Sequence, residues 1–340
     1  ATTEIYTLSL HDALPILFDV RRRIWSEEMF AALDIPRAWA PSCGESIEVS
    51  GRVDQAASDE TGLPAGLPVI AGAGDQAAQA VGTGLTQAGQ AAVTIGTSGV
   101  VFAPTTTPQV DAQGRLHTFC HAVPGMWHVM GVMLAAGGSL QWFRNQLGHE
   151  EIARARAENV DPYEVLLRAA ESIAPGCDGL QFLPYLSGER TPYADPLARG
   201  AFIGLTLRHT KAHLIRAVLE GVTFGLRDCL ELMRAAGVEP QQMRVSGGGA
   251  RSALWRQIIA DVFDCETVTV NAVEGAAYGA ALLAGVGVAV WPDVPTACAQ
   301  TIRRDQATCP QPAAVNRYRE HYAVYRRLYP ALRDIFTLMK

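Results

Sequence analysis

The residues whose types and spacing could support chemistry lie in a few short segments, and the first contains an isolated carboxylate. In "LPVIAGAGDQAAQAVG" (residues 67–82) a short β-branched run ends at glycines, and Asp75 begins an Ala-rich helix. An Asp at a helix start satisfies free backbone N–H groups and suits the helix dipole. Asp75 is therefore either an ordinary cap or a carboxylate presented for proton transfer, and local spacing favours neither.

Two glycine turns are candidates for anion binding. In "AAVTIGTSGVVFAP" the β-rich arms 93–95 and 100–102 flank residues 96–99, which predicts a hairpin whose turn N–H groups and hydroxyls can hold a phosphate. The segment "MRVSGGGARSALWRQIIADVFD" predicts a strand, a glycine loop and a helix, an arrangement common in nucleotide sites. It matches neither G-x-G-x-x-G nor G-x-x-x-x-G-K-[ST], which disfavours Rossmann and Walker sites.

Several helices and one long loop must position these segments. "LAAGGSLQWF" (134–143) predicts the start of a helix, and residues 210–236 predict a long amphipathic helix capped by Thr210 and stopped by Gly237. The small residues of "EGAAYGAALLAG" predict close helix packing. The Pro- and Gly-rich run "LPYLSGERTPYADPLARGAFIGL" is longer than most structural loops, which indicates a functional role.

Composition narrows the class of protein. The 340 residues carry a net charge of −6 and are 49% apolar, which is typical of a soluble globular protein with a large core. An acidic balance disfavours nucleic-acid binding, and no apolar run is long enough to span a membrane. The seven cysteines form no C-x-x-C pair, which disfavours zinc sites and disulfide frameworks and indicates buried, reduced thiols in a cytoplasmic protein.

The first sixteen residues differ in character from the rest of the chain. They lack Lys and Arg and have no apolar core, so they match no targeting peptide. One set of codons for residues 1–16 reproduces an adapter oligonucleotide used in short-read DNA sequencing. We therefore expect a translated artefact there, the alternative being a genuine N-terminal extension. Residues 17–66 hold one short strand candidate, one helix candidate and Pro-rich linkers, which do not make a complete domain.

Four segments in this order resemble the C-terminal part of the FGGY family of carbohydrate kinases: "AGAGDQAAQAVGTG", "TIGTSGV", "LPYLSGERTP…ARGAFIGLT…HLIRAVLEGV" and "SGGGARSALWRQIIAD…AAYGAA". The resemblance runs from Leu17 to about Phe336. It implies an α/β, actin-like ATPase (RNase H-like) fold, with a complete C-terminal domain and an N-terminal domain that is largely missing. We expect an artefact at 1–16, an N-terminal-domain remnant at 17–66, the nucleotide-binding C-terminal domain at 67–300 and a helical tail at 301–340.

The resemblance also implies roles for individual residues. Asp75 matches the catalytic base and Gln76 a ligand to sugar hydroxyls, so both are expected to bind substrate. The positions that match ATP-binding residues of the family are Gly96, Thr97, Ser98, Gly137, Gln141, Gly247, Gly248, Gly249, Arg251 and Ser252. The segment "SGERTP" (187–192) matches a stretch near the cleft without assigned roles. No metal ligand is assigned.

The implied reaction transfers phosphate from ATP, with Mg²⁺, to the C5 hydroxyl of D-xylulose. It implies a cytoplasmic enzyme whose partners are small molecules, with a homodimer left open. We expect the 340-residue chain to be inactive, because the family's first phosphate loop has no counterpart in it. Alternatives are another FGGY kinase, acting on gluconate, ribulose, glycerol or fuculose, and a non-catalytic nucleotide-binding module. The module is disfavoured because no basic DNA-recognition helix is present and a sensor needs no base at Asp75.

Overall fold

The computed structural model describes residues 17–272 and 275–339, together with the backbone of Leu8–Ser9. Apart from that backbone, the predicted artefact at 1–16 lies outside the described residues. The strands are β1 Leu8–Ser9, β2 Phe18–Asp19, β3 Ile24–Trp25, β4 Cys43–Gly44, β5 Val49–Arg52, β6 Pro68–Ile70, β7 Gln90–Ile95, β8 Gly99–Thr105, β9 His117–Cys120, β10 Trp127–Met133, β11 Gln181–Leu183, β12 Ala201–Ile203, β13 Gln242–Ser246, β14 Thr267–Val270 and β15 Arg304–Thr308. The α-helices are α1 Glu27–Ala32, α2 Gln55–Thr61, α3 Asp75–Gly82, α4 Gly137–Leu147, α5 His149–Glu158, α6 Pro162–Glu171, α7 Lys211–Ala235, α8 Ala253–Phe263, α9 Gly275–Gly287, α10 Val294–Thr301, α11 Pro312–Tyr325 and α12 Leu328–Leu338.

A seven-stranded mixed sheet organises the molecule. Its strand order is β15-β14-β13-β7-β8-β10-β9. Strands β7, β8 and β10 pair antiparallel, whereas β13 runs parallel to both β7 and β14. Three antiparallel strands followed by two parallel ones form the core of an RNase H-like sheet, so the predicted fold class is confirmed.

The local predictions around the sheet hold. β7 and β8 form the expected hairpin, with Ile95 paired to Gly99 across the turn. The long helix α7 has Thr210 at its N-cap, and Gly237 follows its end at a φ of +85°. Left-handed backbone at that position suits glycine, which explains why the apolar stripe stops there.

Alternation along the strands separates two cores. Ala91, Val93 and Ile95 of β7 face the larger core, which contains the buried residues of α7 and α8. Ala92 points to the opposite face, where it clusters with Ala80 of α3. Helix α3 therefore lies on the face of the sheet away from α7.

Helices α3 and α9 pack with their backbones in contact, as the small residues predicted. A side chain at Gly82 would overlap the carbonyl of Gly275, and one at Gly279 would overlap the carbonyl of Ala78. Only glycine permits this approach. The pairing thus fixes the orientation of α3, the helix that begins at Asp75.

The "SGERTP" loop is attached to the end of β10. The Glu189 carboxylate accepts from the Leu134 N–H at 3.1 Å, and the Thr191 hydroxyl accepts from the Val132 N–H at 3.2 Å. Since Leu134 leads into α4, the loop supports the strand end that positions that helix. Burial raises the pKa of Glu189 to about 7.

All seven cysteines are free, but only four of them are buried: Cys120, Cys177, Cys229 and Cys298. The expectation of uniformly buried thiols was therefore wrong for the other three, of which Cys309 is exposed. Among residues 17–272 and 275–339, no helix combines the length and the apolarity needed to cross a bilayer.

Candidate active site

A cavity of about 620 Å³ opens where β7 and β13 end and where α4, α6 and α8 begin. Most of the residues predicted to bind ATP line it: Gly96, Thr97, Gly137, Gln141, Gly248, Gly249, Arg251 and Ser252. Ser98 and Gly247 belong to the same turns but are not among the lining residues, and neither are Asp75 and Gln76. The structure thus gathers three segments that are far apart in sequence around one space.

The Gly96–Gly99 turn is held by the start of α4. The N–H of Gly137 donates to the Gly96 carbonyl at 2.9 Å, and the N–H of Gly138 donates to the Thr97 carbonyl at 3.0 Å. The carbonyls of Gly96 and Thr97 therefore already accept hydrogen bonds from the protein. Within the described part of the chain the N–H groups of Thr97 and Ser98 make no hydrogen bond, and both residues are exposed. Adjacent free N–H groups of this kind form an anion nest.

The second glycine turn is pressed against the end of β7. Gly247 has a φ of +82°, and a Cβ added there would lie 2.5 Å from the Ile95 carbonyl oxygen. Gly248 differs, because an added Cβ would meet only that oxygen, at 3.9 Å. The protein itself needs glycine at the first position. At Gly248 the missing side chain instead leaves room in the cavity, a fit for a ligand that approaches the backbone closely.

Of the two predicted residues that follow the glycines, Ser252 caps a helix and Arg251 is available to a ligand. The Ser252 hydroxyl accepts from the Trp255 N–H at 3.1 Å and so caps α8. Arg251 is exposed and, within the described chain, its side chain makes no hydrogen bond or ion pair. It is also the basic side chain among the lining residues, so it is free to meet an anion.

One wall of the cavity was missed by sequence reasoning. Helix α6 and its cap contribute Asp161, Tyr163, Glu164, Leu167 and Glu171. Asp161 caps the helix by accepting from the Tyr163 N–H at 2.8 Å, and burial raises the pKa of Tyr163. Nothing local distinguishes this helix from any amphipathic surface helix, so only its packing reveals the wall.

Asp75 is the first residue of α3 but not its cap, which is Gly74. Its Oδ1 accepts from the Gln76 N–H at 2.7 Å, and within the described chain Oδ2 makes no hydrogen bond. The side chain is exposed, whereas Gln76 is half-buried. The alternative of an ordinary N-cap is therefore not what the structure shows, and one carboxylate oxygen is available to a ligand.

Helix α3 is tied to the same end of the sheet as both turns. The Gln79 side-chain amide donates to the Thr94 hydroxyl at 2.9 Å and to the Ser246 hydroxyl at 3.2 Å. Thr94 and Ser246 lie at the ends of the strands that lead into the two glycine turns. Asp75 precedes Gln79 by about 6 Å along the helix axis.

No group of three or more His, Cys, Asp or Glu side chains suited to a metal ion occurs within residues 17–272 and 275–339. Magnesium in nucleotide sites is held largely by phosphate oxygens and water. We therefore assign no protein ligand to Mg²⁺ and derive no step through it.

Comparisons with known proteins agree with this geometry. The model of the "FGGY family of carbohydrate kinases, C-terminal domain" matches residues 91–288, and that of the family's N-terminal domain matches residues 13–82. The xylulose kinase of Bacillus subtilis is 33% identical over 339 residues, which is 100% of this chain and 66% of the relative. A gluconokinase of the same organism is 36% identical over 261 residues, covering 76% of this chain and 50% of the relative.

A solved structure shows the same fold. The crystal structure of a xyloylose kinase from Brucella ovis has 34% sequence identity and a TM-score of 0.86, covering 97% of this chain and 66% of that chain. The chain spans less than two-thirds of the length of the curated relatives that it matches. With one family model matching more than half of its residues and the sheet, turns and cavity in the arrangement described, the chain belongs to the FGGY family of carbohydrate kinases.

Proposed function

We propose that the protein transfers the terminal phosphate of ATP to a hydroxyl of D-xylulose, with Asp75 as general base. The observation that supports this most directly is that two glycine turns meet at one cavity. The helix that is hydrogen-bonded to the same end of the sheet begins with a carboxylate that does not serve as its N-cap. The name of the Bacillus subtilis relative supports the choice of sugar.

The charges around the cavity favour one orientation of the nucleotide. Glu164 is paired with Arg168 at 3.0 Å. Asp161 and Glu171 make no ion pair within the described chain, so they leave the α6 wall acidic and phosphates are repelled from it. The free N–H groups of Thr97 and Ser98 suit the phosphates instead. The adenosine then lies towards Gly248, and its amino and hydroxyl groups can donate to the α6 carboxylates.

Phosphoryl transfer to an alcohol depends mainly on positioning and charge stabilisation. A sugar hydroxyl still needs a base for its proton, and such a base contributes roughly 10²–10⁴-fold. Asp75 suits this task, because the helix start holds Oδ1 while Oδ2 is free to accept the proton. Gln76, on the same turn, would bind a second sugar hydroxyl, and magnesium supplied with ATP would offset phosphate charge.

The test is the Asp75→Asn variant of the enzyme expressed from its own genomic start codon. We expect turnover of D-xylulose to fall by at least about 100-fold, while calorimetry shows an unchanged dissociation constant for ATP. The control is Asp305→Asn, an exposed carboxylate on β15. Near-normal turnover by Asp75→Asn would remove Asp75 from the role of base.

A second candidate is gluconate phosphorylation, since a gluconokinase is 36% identical over part of the chain. A panel of D-xylulose, gluconate, ribulose, glycerol and fuculose decides between them by kcat/KM. Binding of ATP without turnover of any sugar would favour the non-catalytic module. The expected domain boundaries, cytoplasmic location, inactivity of the 340-residue chain and possible homodimer remain predictions.

A further inference from the structure

Three polar side chains join α3 to the two strands that lead into the glycine turns. We call Gln79, Thr94 and Ser246 the α3 anchor. The Gln79 amide donates to both hydroxyl oxygens, and the hydroxyls of Thr94 and Ser246 are themselves 2.8 Å apart. The anchor therefore joins one helix to two strands through a closed triangle of hydrogen bonds.

The anchor connects the strand ends before the two glycine turns with the helix that begins at the carboxylate. Thr94 and Ser246 are direct partners in the parallel pairing of β7 with β13. Ser246 immediately precedes Gly247, and Thr94 precedes Gly96 by two residues. Gln79 lies one helical turn after Asp75, on the same side of α3. A shift of this triangle would move the carboxylate relative to both turns.

The side chain of Gln79 has little freedom to adopt another contact. A Cβ added to Gly275 of α9 would lie only 3.1 Å from Gln79 Cγ, so that helix confines the stem of the side chain. On the sheet side, the neighbouring Ala92 is apolar and buried. Arg244, the direct partner of Ala92 on β13, lies on this same face, so the anchor is a fixed polar group on a face of mixed character.

One hydroxyl hydrogen of the anchor has no acceptor among the three side chains. The Gln79 amide supplies two hydrogens, and each hydroxyl oxygen accepts one of them. One hydroxyl then donates to the other, which uses one of the two O–H hydrogens. The remaining O–H hydrogen has no acceptor within the described residues, and both hydroxyl residues are only half-buried.

We propose that Gln79 is a positioning residue that holds Asp75 in register with the phosphate turns, and that the spare hydroxyl hydrogen of the anchor donates to the phosphoryl group in transit. This rests on the proposed function. The O–P bond to the leaving ADP breaks, a bond forms between phosphorus and the sugar oxygen, and the sugar proton passes to Asp75. The anchor forms no covalent bond and stabilises only the charge on the transferred group.

The experiment uses the enzyme expressed from its own start codon and separates kcat from ATP binding. For Gln79→Met and Thr94→Val we expect kcat for D-xylulose to fall about 10- to 1,000-fold, the range for a misplaced group or a lost donor. The dissociation constant for ATP should stay within about twofold, because the turn amides that hold the phosphates are untouched. Thr94→Ser, which keeps the hydroxyl, should restore most of kcat.

Thr267→Val is the matched control. Thr267 lies on the adjacent strand β14, is buried, and its hydroxyl oxygen has no partner within the described residues. Its loss should leave kcat unchanged. Should Gln79→Met fail to fold, the Thr94→Val and Thr94→Ser pair decides alone, since valine conserves the volume of threonine.

The outcomes separate the two proposals. An active wild type whose Thr94→Val variant keeps its kcat overturns the anchor but leaves the kinase activity standing. Equal losses in Thr94→Ser and Thr94→Val also overturn it, since the hydroxyl would then be immaterial. A wild type that phosphorylates no sugar in the panel overturns the proposed function and the anchor together.

Discussion

Two neighbouring glycines offer a test of which parts of the phosphate turn serve the fold and which serve a ligand. Gly247 has a φ of +82° and a ψ of −175°, a region that is essentially restricted to glycine and costs other residues about 1–3 kcal/mol. In Gly247→Ala the new Cβ would also lie 2.5 Å from the Ile95 carbonyl oxygen and 2.8 Å from its carbon. Overpacking adds about 1–3 kcal/mol. We therefore expect a loss of about 2–6 kcal/mol in the free energy of unfolding.

Gly248→Ala is the matched variant. Its Cβ would meet only the Ile95 oxygen at 3.9 Å, and its φ is not positive. The free energy of unfolding should therefore change by no more than about 1 kcal/mol, the ordinary difference between glycine and alanine in a helical turn. Gly248 lines the cavity, however, so the methyl group enters the space assigned to the nucleotide. We expect ATP to bind roughly 5- to 150-fold more weakly, from about 1–3 kcal/mol of overlap.

The assay is urea unfolding of the 340-residue chain followed by circular dichroism, with linear extrapolation to water, and calorimetric ATP titration of each folded variant. The wild-type chain provides the reference in both measurements. A Gly247→Ala variant as stable as wild type would refute the steric argument. A Gly248→Ala variant with unchanged ATP affinity would show that this turn does not contact the nucleotide.

Two further predictions concern the buried charges that attach the C-terminal helices to α7. Arg216 is buried and its Nε donates to Glu220 at 2.9 Å, so Glu220→Ala removes its counter-ion. The free energy of unfolding, measured by urea titration, should fall by about 3–5 kcal/mol. The control Glu158→Ala, on the exposed surface, should not change the urea midpoint. Burial raises the pKa of Asp228 to about 7, so the folded protein keeps a proton that the unfolded chain releases near pH 4, and stability falls as pH rises between these values. In Asp228→Asn the melting temperature should therefore drop less between pH 5 and pH 8 than it does in the wild type. An unchanged pH profile would contradict the assignment.

Much of the local structure was predictable from the sequence, because its signals lie within a few residues of one another. Glycines between two β-branched arms predicted the β7–β8 hairpin, and Thr210 and Gly237 bounded α7. The small residues near Gly279 predicted the contact between α9 and another helix. In each case the signal is the backbone freedom or side-chain size of the residues concerned, which does not depend on the rest of the fold.

The candidate site was predictable only in part. Sequence reasoning identified eight of the residues that line the cavity, but not the α6 wall around Tyr163. The interpretation of Asp75 also needed the structure, since a cap and an available carboxylate have the same local sequence. The cap proved to be Gly74, which leaves Oδ2 of Asp75 free within the described chain.

The sequence by itself determined the strands beside the two glycine turns, the long helix and the turns themselves, because propensity and periodicity act over one or two turns of chain. Only the tertiary structure decided which of these meet. Gln79 and Ser246 are 167 positions apart, and no local pattern relates them. They come together because β7 pairs with β13 and α3 packs on α9, contacts whose stability depends on how whole surfaces fit rather than on any short segment.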